Sequence, residues 1–381
     1  MNNNVSENPR EQHPAIPRFD REWVKLGEIG DFKTGGTPSR KHPEYYGGDI
    51  PWISTPALNG GLLDAEDAVQ TLTKEGVDHS ATKVIPEGSL MVGIRVGVGK
   101  VAINAVPMCT NQDIASIVDI DKSNWNVKYL SYAIQSKASI LQSRKRGATI
   151  TGITTKELKA LNIPVLPIAQ QLELVRMLDS IKLLELNAKQ QLSLIDDLVK
   201  SRFIEMFGNP IENDRGLSKC LWSDALTIVN GKNQKKVECA NGEYAICGSG
   251  GEMGRATQYL TRGNSVIIGR KGNINRPILM REPFWNVDTA FGLEPNADKL
   301  VVEYLYYYCE WFDFQKLNKA VTIPSLTKAD LLKVEMPLPP LALQQEFAAF
   351  VSQVDKLRFE TQQQIEKLET LKKSLMQEYF G

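Results

Sequence analysis

Glycines surround a lysine at Gly93-Ile94-Arg95-Val96-Gly97-Val98-Gly99-Lys100, the composition of a loop that cradles phosphate. The spacing is one residue too long for that chemistry, and Val101 stands where a Ser or Thr hydroxyl would hold magnesium. The run therefore reads as a glycine-rich turn between strands. Gly248-Ser249-Gly250-Gly251 is too short for a dinucleotide fingerprint. Methylating a flipped adenine takes an Asn/Asp-Pro-Pro-aromatic motif, and Asn209-Pro210-Ile211-Glu212 lacks the second proline and the ring. No Ser/His/Asp or paired-carboxylate arrangement is visible along the chain. Cys109, Cys220, Cys239, Cys247 and Cys309 form no CxxC pair, and His13, His42 and His79 lie far apart. Reduced thiols, no zinc ribbon and no metal site are expected. No catalytic residue is expected either: the chain reads as a recogniser.

Its charges are arranged in patches. Lys plus Arg and Asp plus Glu each number 45, for a net charge of zero. Basic residues nevertheless cluster at Arg144-Lys145-Arg146, at Lys232, Lys235 and Lys236, at Arg270-Lys271, and at Lys316 and Lys319. A neutral protein can carry one positive face. The first and last clusters stand out because each precedes the same repeated segment.

That segment belongs to a duplication. Thr149-Ile150, Ile153-Thr154, Leu158, Pro164, Gln171, Glu173 and Phe207-Gly208 recur 173 residues later. The later copies are Thr322-Ile323, Leu326-Thr327, Leu331, Pro337, Gln344, Glu346 and Phe380-Gly381. Upstream, Gly88, Arg95, Gly97, Asn111, Asp113, Ala115, Tyr129 and Leu130 recur at an offset of 175 as Gly263, Arg270, Gly272, Asn286, Asp288, Ala290, Tyr304 and Leu305. The period is too long for a solenoid and implies two whole domains, each followed by the same element. Between anchors the residues differ, as in two readers of different texts.

The repeated element is a long helix. Residues 168–207 and 341–380 contain neither Pro nor Gly, and prolines stand before each run, where they open a helix. Leu184, Ala188, Gln191, Ile195, Leu198 and Arg202 are spaced as a heptad seam, matched by Leu357, Thr361, Gln364, Leu368, Leu371 and Leu375. Forty residues make a rod of about 60 Å. Strands are expected at 49–53, 89–94, 101–105, 114–120, 243–246, 265–268 and 277–280. Helices are expected at 127–142, 155–160, 302–317 and 327–332. The polar start, 1–16, reads as a flexible tail. No apolar run is long enough to cross a membrane, nor does the start look like a secretion signal.

Across nearly its whole length the chain resembles the specificity subunit of Type I restriction–modification systems. The resemblance rests on the duplication together with a series of segments in order. These are Pro17-Arg18-Phe19-Asp20-Arg21-Glu22-Trp23, Leu26-Gly27-Glu28-Ile29-Gly30, Thr34-Gly35-Gly36-Thr37-Pro38-Ser39, Ile50-Pro51-Trp52-Ile53, Ile85-Pro86-Glu87-Gly88 and Pro164-Val165-Leu166-Pro167 with Gln170-Gln171. The second domain departs from this pattern, with Asn230-Gly231-Lys232-Asn233 in place of the Gly-Gly-Thr-Pro-Ser run.

The resemblance implies an α+β chain with a pseudo-twofold internal repeat. Two similar mixed α/β target-recognition domains, 17–166 and 209–339, would be separated by two long antiparallel helices, 167–208 and 340–381, forming a coiled coil. Each domain would read half of a bipartite, asymmetric double-stranded DNA target, with the helices fixing the gap. Two methyltransferase subunits would dock on this frame, and restriction/translocase subunits would join through the complex. S-adenosylmethionine, ATP and Mg would be bound by those partners and no cofactor by this chain, which would work in the cytoplasm without a membrane. Its alternatives are a modification-only or Type IIB-like system, a self-contained enzyme, or a coiled-coil scaffold without DNA specificity.

For DNA, phosphate contacts are expected from Lys41, Arg144, Lys145, Arg146, Lys235, Lys236 and Lys319. Base-edge contacts are expected from Arg40, Arg95, Asn111, Gln112, Asn233, Gln234, Arg270, Asn273 and Asn286. Register in the spacer is expected to depend on Leu184, Gln191, Ile195, Leu198, Leu357, Gln364, Leu368 and Leu371, with the two glutamines interrupting an apolar seam near the dyad.

Overall fold

The computed structural model describes residues 21–143 and 152–381, so Arg144, Lys145 and Arg146 lie outside the described residues. The chain divides into two units, Met1–Leu186 with Glu366–Gly381, and Asn187–Ile365.

In the first unit the strands Leu90–Gly93 and Ile114–Val118 are wholly buried and apolar but for Ser116, suited to a sheet covered on both faces. They lie at the centre of a five-stranded sheet, in the order Asp31–Thr34, Ile114–Val118, Leu90–Gly93, Val101–Asn104, Leu62–Leu63. A second sheet runs Gln70–Leu72, Tyr46–Ile53, Met108–Thr110, Val84–Ile85, its two middle strands parallel. A short pair, Trp23–Lys25 with Asn162–Pro164, closes the unit beside the first long helix.

The second unit repeats this plan. Its larger sheet runs Leu226–Asn230, Ala290–Pro295, Ser265–Gly269, Ile278–Met280, and the smaller runs Gly251–Ala256, Tyr244–Gly248, Phe284–Asn286. Tyr244–Gly248 and Phe284–Asn286 are again parallel, and Lys219–Leu221 pairs with Glu335–Pro337. The expected strands all occur, with ends shifted by up to three residues. The expected helix 127–142 breaks at Lys137 into Val127–Ser136 and Ala138–Ser143. Likewise 302–317 ends as a helix at Trp311, and Asp313 caps a separate turn, Phe314–Leu317.

The repeated residues have concrete duties. Tyr129 Oη donates to Pro164 O at 2.8 Å, and Tyr304 Oη to Pro337 O at 2.7 Å. Gln171 is fully buried at the start of its helix, accepting from Asn126 N and donating to Asn124 O and Leu166 O. Gln344 makes the same three bonds to Val301 N, Lys299 O and Pro339 O. Thr154 and Thr327 cap the short helices Thr155–Lys159 and Lys328–Leu331. These bonds leave few buried backbone groups unpaired where the chain turns from sheet to spacer.

The long helices run Ile168–Phe207 and Leu341–Phe380. In the second unit Ile195, Val199, Phe203 and Phe207 share a core with Phe347, Val351 and Val354. Arg202 pairs with Glu346 and Asp196 with Arg358, so the segments run antiparallel there. In the first unit Leu174, Val175 and Leu178 share a core with Leu375, Met376, Tyr379 and Phe380, and Glu185 pairs with Lys372.

The seam is not the expected one. Leu184, Gln191, Leu198, Leu357, Gln364 and Leu371 are exposed, whereas Ile195 is buried and Leu368 half-buried. The covered positions are Ile181, Glu185, Ala188, Leu192, Ile195 and Val199, matched by Val354, Arg358, Thr361, Ile365, Leu368 and Lys372. Both frames have alternating spacings of four and three and share every second position. Charged Glu185, Arg358 and Lys372 make the true frame look less apolar than its neighbour. Gln191 and Gln364 therefore interrupt no seam, and the buried polar positions are Glu185 and Thr361.

Candidate nucleic-acid interface

In the first unit a polar loop leaves the strand Asp31–Thr34. Gly35 N donates to Ile114 O at 3.3 Å and Gly36 N to Thr110 O at 2.9 Å. A Cβ on Gly35 would lie 2.1 Å from Thr110 O, so only glycine fits this close approach. The indole N–H of buried Trp52 donates to Gly36 O at 3.0 Å. Beyond that carbonyl, Thr37, Ser39, Arg40 and Lys41 are exposed. Thr37 Oγ1 donates to Oε1 of exposed Gln112 at 2.5 Å, joining two loops. Beside them lies a groove of about 620 Å³ lined by Thr34, Gly35, Ile94, Arg95, Gln112 and residues 152–157.

The second unit builds its loop the same way from other residues. Gly231 N donates to Ala290 O at 3.2 Å and Lys232 N to Asn286 O at 3.0 Å. A Cβ on Gly231 would lie 1.8 Å from Val287 O. The indole of buried Trp285 donates to Lys232 O at 2.9 Å. Asn233, Lys235 and Lys236 are then exposed and Gln234 half-buried, with Asn233 Oδ1 accepting from Lys235 N. Asn273 is exposed on the neighbouring turn.

Two of the expected base readers face inward. Asn111 is 8% exposed and hydrogen-bonds Asp113, while Asn286 is fully buried against Thr261, Val229 and Ala290. Both hold the strand-to-turn junction that supports the loops, so neither amide is presented to a ligand. Arg95 Nη1 lies 3.7 Å from Asp113 Oδ1, with its side chain 44% exposed. Arg270 sits over the Phe291 ring and donates to Asp288 O. Lys319 is held by both oxygens of Asp330, whose carboxyl is kept below its usual range by Lys319 and then by Thr327.

Sequence reasoning missed a ring stack beside the first loop. Tyr45 lies between His42 and His79, with centroids 4.8 and 6.0 Å away. His42 bonds Glu44, whose carboxyl is kept low by its own backbone N–H and then by His42. No pattern along the chain links His79 to residues so far upstream. Exposed Lys156 in the groove was also missed, because its segment reads simply as a capped helix start. Among the described residues no group of three His, Cys, Asp or Glu side chains could hold a metal ion. What the loops offer is hydrogen-bond forks and cations, which suit a polar, anionic polymer.

Residues 20–195 and 223–370 match the model of the Type I restriction modification DNA specificity domain. The chain belongs to that family. It is 36% identical over 177 residues to the specificity subunit of the Type I restriction enzyme EcoR124I/EcoR124II of Escherichia coli, a match covering 45% of this chain and 43% of that protein. That match thus spans less than half of the relative's length. A longer match, 22% identical over 411 residues, joins 97% of this chain to 94% of the MjaVIII specificity subunit of Methanocaldococcus jannaschii. The fold is shared with a Type I restriction–modification S subunit from M. genitalium, at 15% identity and a TM-score of 0.62 over 95% of this chain and 97% of that one. Among the described residues no helix is long and apolar enough to cross a membrane.

Proposed function

We propose that this chain is the address-reading subunit of a Type I restriction–modification complex. Each domain reads one half of a bipartite, asymmetric double-stranded DNA target, and the long helices set the unread gap. The observation that carries this reading is the pair of loops, 36–41 and 232–236, started alike but with different polar side chains. A shared frame with unlike reading groups suits two different half-sites. Arg40, Lys41, Gln112, Asn233, Lys235, Lys236 and Asn273 are its best-placed contacts, with Gln234 beside them. Cations meet phosphates and amide forks meet base edges in the major groove.

The chain contributes no chemistry of its own on this reading. Two methyltransferase subunits supply it with S-adenosylmethionine, and restriction/translocase subunits add ATP- and Mg-dependent steps in the cytoplasm. Each unit carries one exposed leucine of the expected seam on each helix, Leu184 and Leu371 in the first and the matching Leu357 and Leu198 in the second, which supports one docking patch per unit for two copies of one partner. The test is methylome sequencing of a methylation-free host carrying this chain with its methyltransferase partner, against the partner alone. N6-methyladenine at one bipartite, asymmetric motif, present only with this chain, is expected. An intact complex that yields no motif would defeat the proposal in favour of a scaffold.

A further inference from the structure

Leaving a buried indole N–H unpaired is costly, so a partner that recurs is informative. In both units the partner is the carbonyl of the second residue past the edge strand that leads into the loop: Gly36 O, after Asp31–Thr34, for Trp52 and Lys232 O, after Leu226–Asn230, for Trp285, at 3.0 and 2.9 Å. In both units this residue's own N–H is also bonded, Gly36 N to Thr110 O and Lys232 N to Asn286 O. The residue that launches the exposed polar run is thus pinned from both sides; the run starts at the next position, Thr37, in the first unit and with Lys232 itself in the second.

The two tryptophans are not copies of one another. Each belongs to the parallel strand pair of its unit, but to opposite members. Trp52 lies on Tyr46–Ile53 opposite Cys109, whereas Trp285 lies on Phe284–Asn286 opposite Ile246. At the 175-residue offset, Trp285 corresponds to Thr110. Simple duplication would have left a tryptophan at one shared position. Here the position differs and the bond is the same, so the bond is the feature the two domains have in common.

We infer that Trp52 and Trp285 are positioning residues for half-site reading, clamping the first peptide of each recognition loop in the orientation that presents its polar run. The inference rests on the DNA-reading function proposed above. A loop held in its bound form loses less conformational freedom on binding, so the clamp sharpens discrimination without touching a base. Each clamp lies wholly within one unit and serves that unit's half-site alone.

The test uses the full chain assembled with its methyltransferase partner, as wild type, Trp52→Phe and Trp285→Phe. Phenylalanine keeps a buried ring and removes the N–H. Competition binding would compare the full target with duplexes in which one half-site or the other is scrambled. Each variant should lose discrimination at one half-site only, by about five- to tenfold, the worth of one hydrogen bond. The two variants should affect opposite halves. A general loss of fold would weaken both halves together, so equal losses, or wild-type discrimination at both halves, would overturn the clamp. Amide hydrogen exchange reads the clamp without DNA. Residues 37–41 should exchange faster in Trp52→Phe and residues 233–236 in Trp285→Phe, and unchanged rates would sink the idea. Faster exchange in a complex whose wild type prefers neither half would instead overturn the DNA-reading function. Should a Phe variant fail to assemble, site-specific benzothienylalanine, which replaces the N–H with sulfur at nearly the same shape, gives the same contrasts.

Discussion

Gln171 and Gln344 each satisfy three backbone groups with one buried amide, at the point where a sheet domain gives way to a long helix. Replacing Gln171 with Leu keeps the volume and strips the partners from Asn126 N, Asn124 O and Leu166 O. Leu166 O is buried and the other two groups partly so; at about 1–3 kcal/mol for the buried group and about 1 kcal/mol for each of the others, a loss of about 3–5 kcal/mol is expected, read as a lower denaturant midpoint for the full chain. A loss under about 1 kcal/mol would mean that water replaces the amide. The same residues show what a sequence discloses at this scale. Exact recurrence marked Asn111 and Asn286 as important and misled on why. Side chains that two readers share hold the common frame, and those that differ, such as Arg40 and Lys41 against Lys235 and Lys236, remain on the surface.

The helices teach a different lesson. Their existence and span were legible, because neither run contains a Pro or Gly to break it. The buried face was not, because two frames that differ only at alternate positions, there by one residue, both repeat at heptad spacing and the correct one carries charge. Glu185 is 7% exposed and pairs with Lys372 at 3.0 Å, while its second oxygen, Oε1, is buried without a hydrogen bond. At the matching positions of the other unit stand Arg358 and Val199, and Arg358 turns to Asp196 and Asp355 instead. Lys372→Met leaves a buried carboxylate alone and should cost about 2 kcal/mol, less than a fully enclosed pair because Lys372 is about one-third exposed. Adding Glu185→Leu should return stability to within about 1 kcal/mol of wild type, since apolar replacement of a buried pair is often neutral. Thermal unfolding of the two variants checks both signs, and a double variant no better than the single would refute the account.

At the scale of the molecule the two units differ in how they should meet alkali. Burial pushes Tyr307 up to about 12 and also raises Tyr244, Tyr304, Tyr306 and Tyr308, all in the second unit; in the first unit it raises Tyr129, Tyr132 and Tyr379. Unfolded, a phenol ionises near 10. Above that pH the unfolded chain holds fewer protons than the folded one, so the tyrosines' share of stability is intact below about pH 10 and falls as pH rises toward the folded values, while the thiols of Cys109, Cys247 and Cys309, also raised by burial, add a loss that begins about a unit lower. The slope is about 1.4 kcal/mol per pH unit for each deeply buried tyrosine. Denaturant titrations from pH 9 to 11.5 should show this loss, and Tyr308→Phe should make it shallower by one tyrosine's share. An unchanged slope would show that the ring is not protected. The sequence disclosed the doubling of domains but not this imbalance, because burial of a tyrosine depends on contacts far along the chain.

The first unit contains a stretch made long after the rest of it. Its core includes Phe380, packed on Tyr129 at a ring separation of 5.2 Å, with Arg21 donating to Glu378 O and Tyr379 O and Lys137 to Phe380 O. A ribosome adding about 5–20 residues per second takes about 10–40 s to travel from Leu186 to Phe380. Throughout that interval the nascent first domain carries an open apolar socket. Its completion is timed by the synthesis of the helix Leu341–Phe380, and a chain that stopped before Glu378 would be damaged in the domain that emerged about 200 residues earlier.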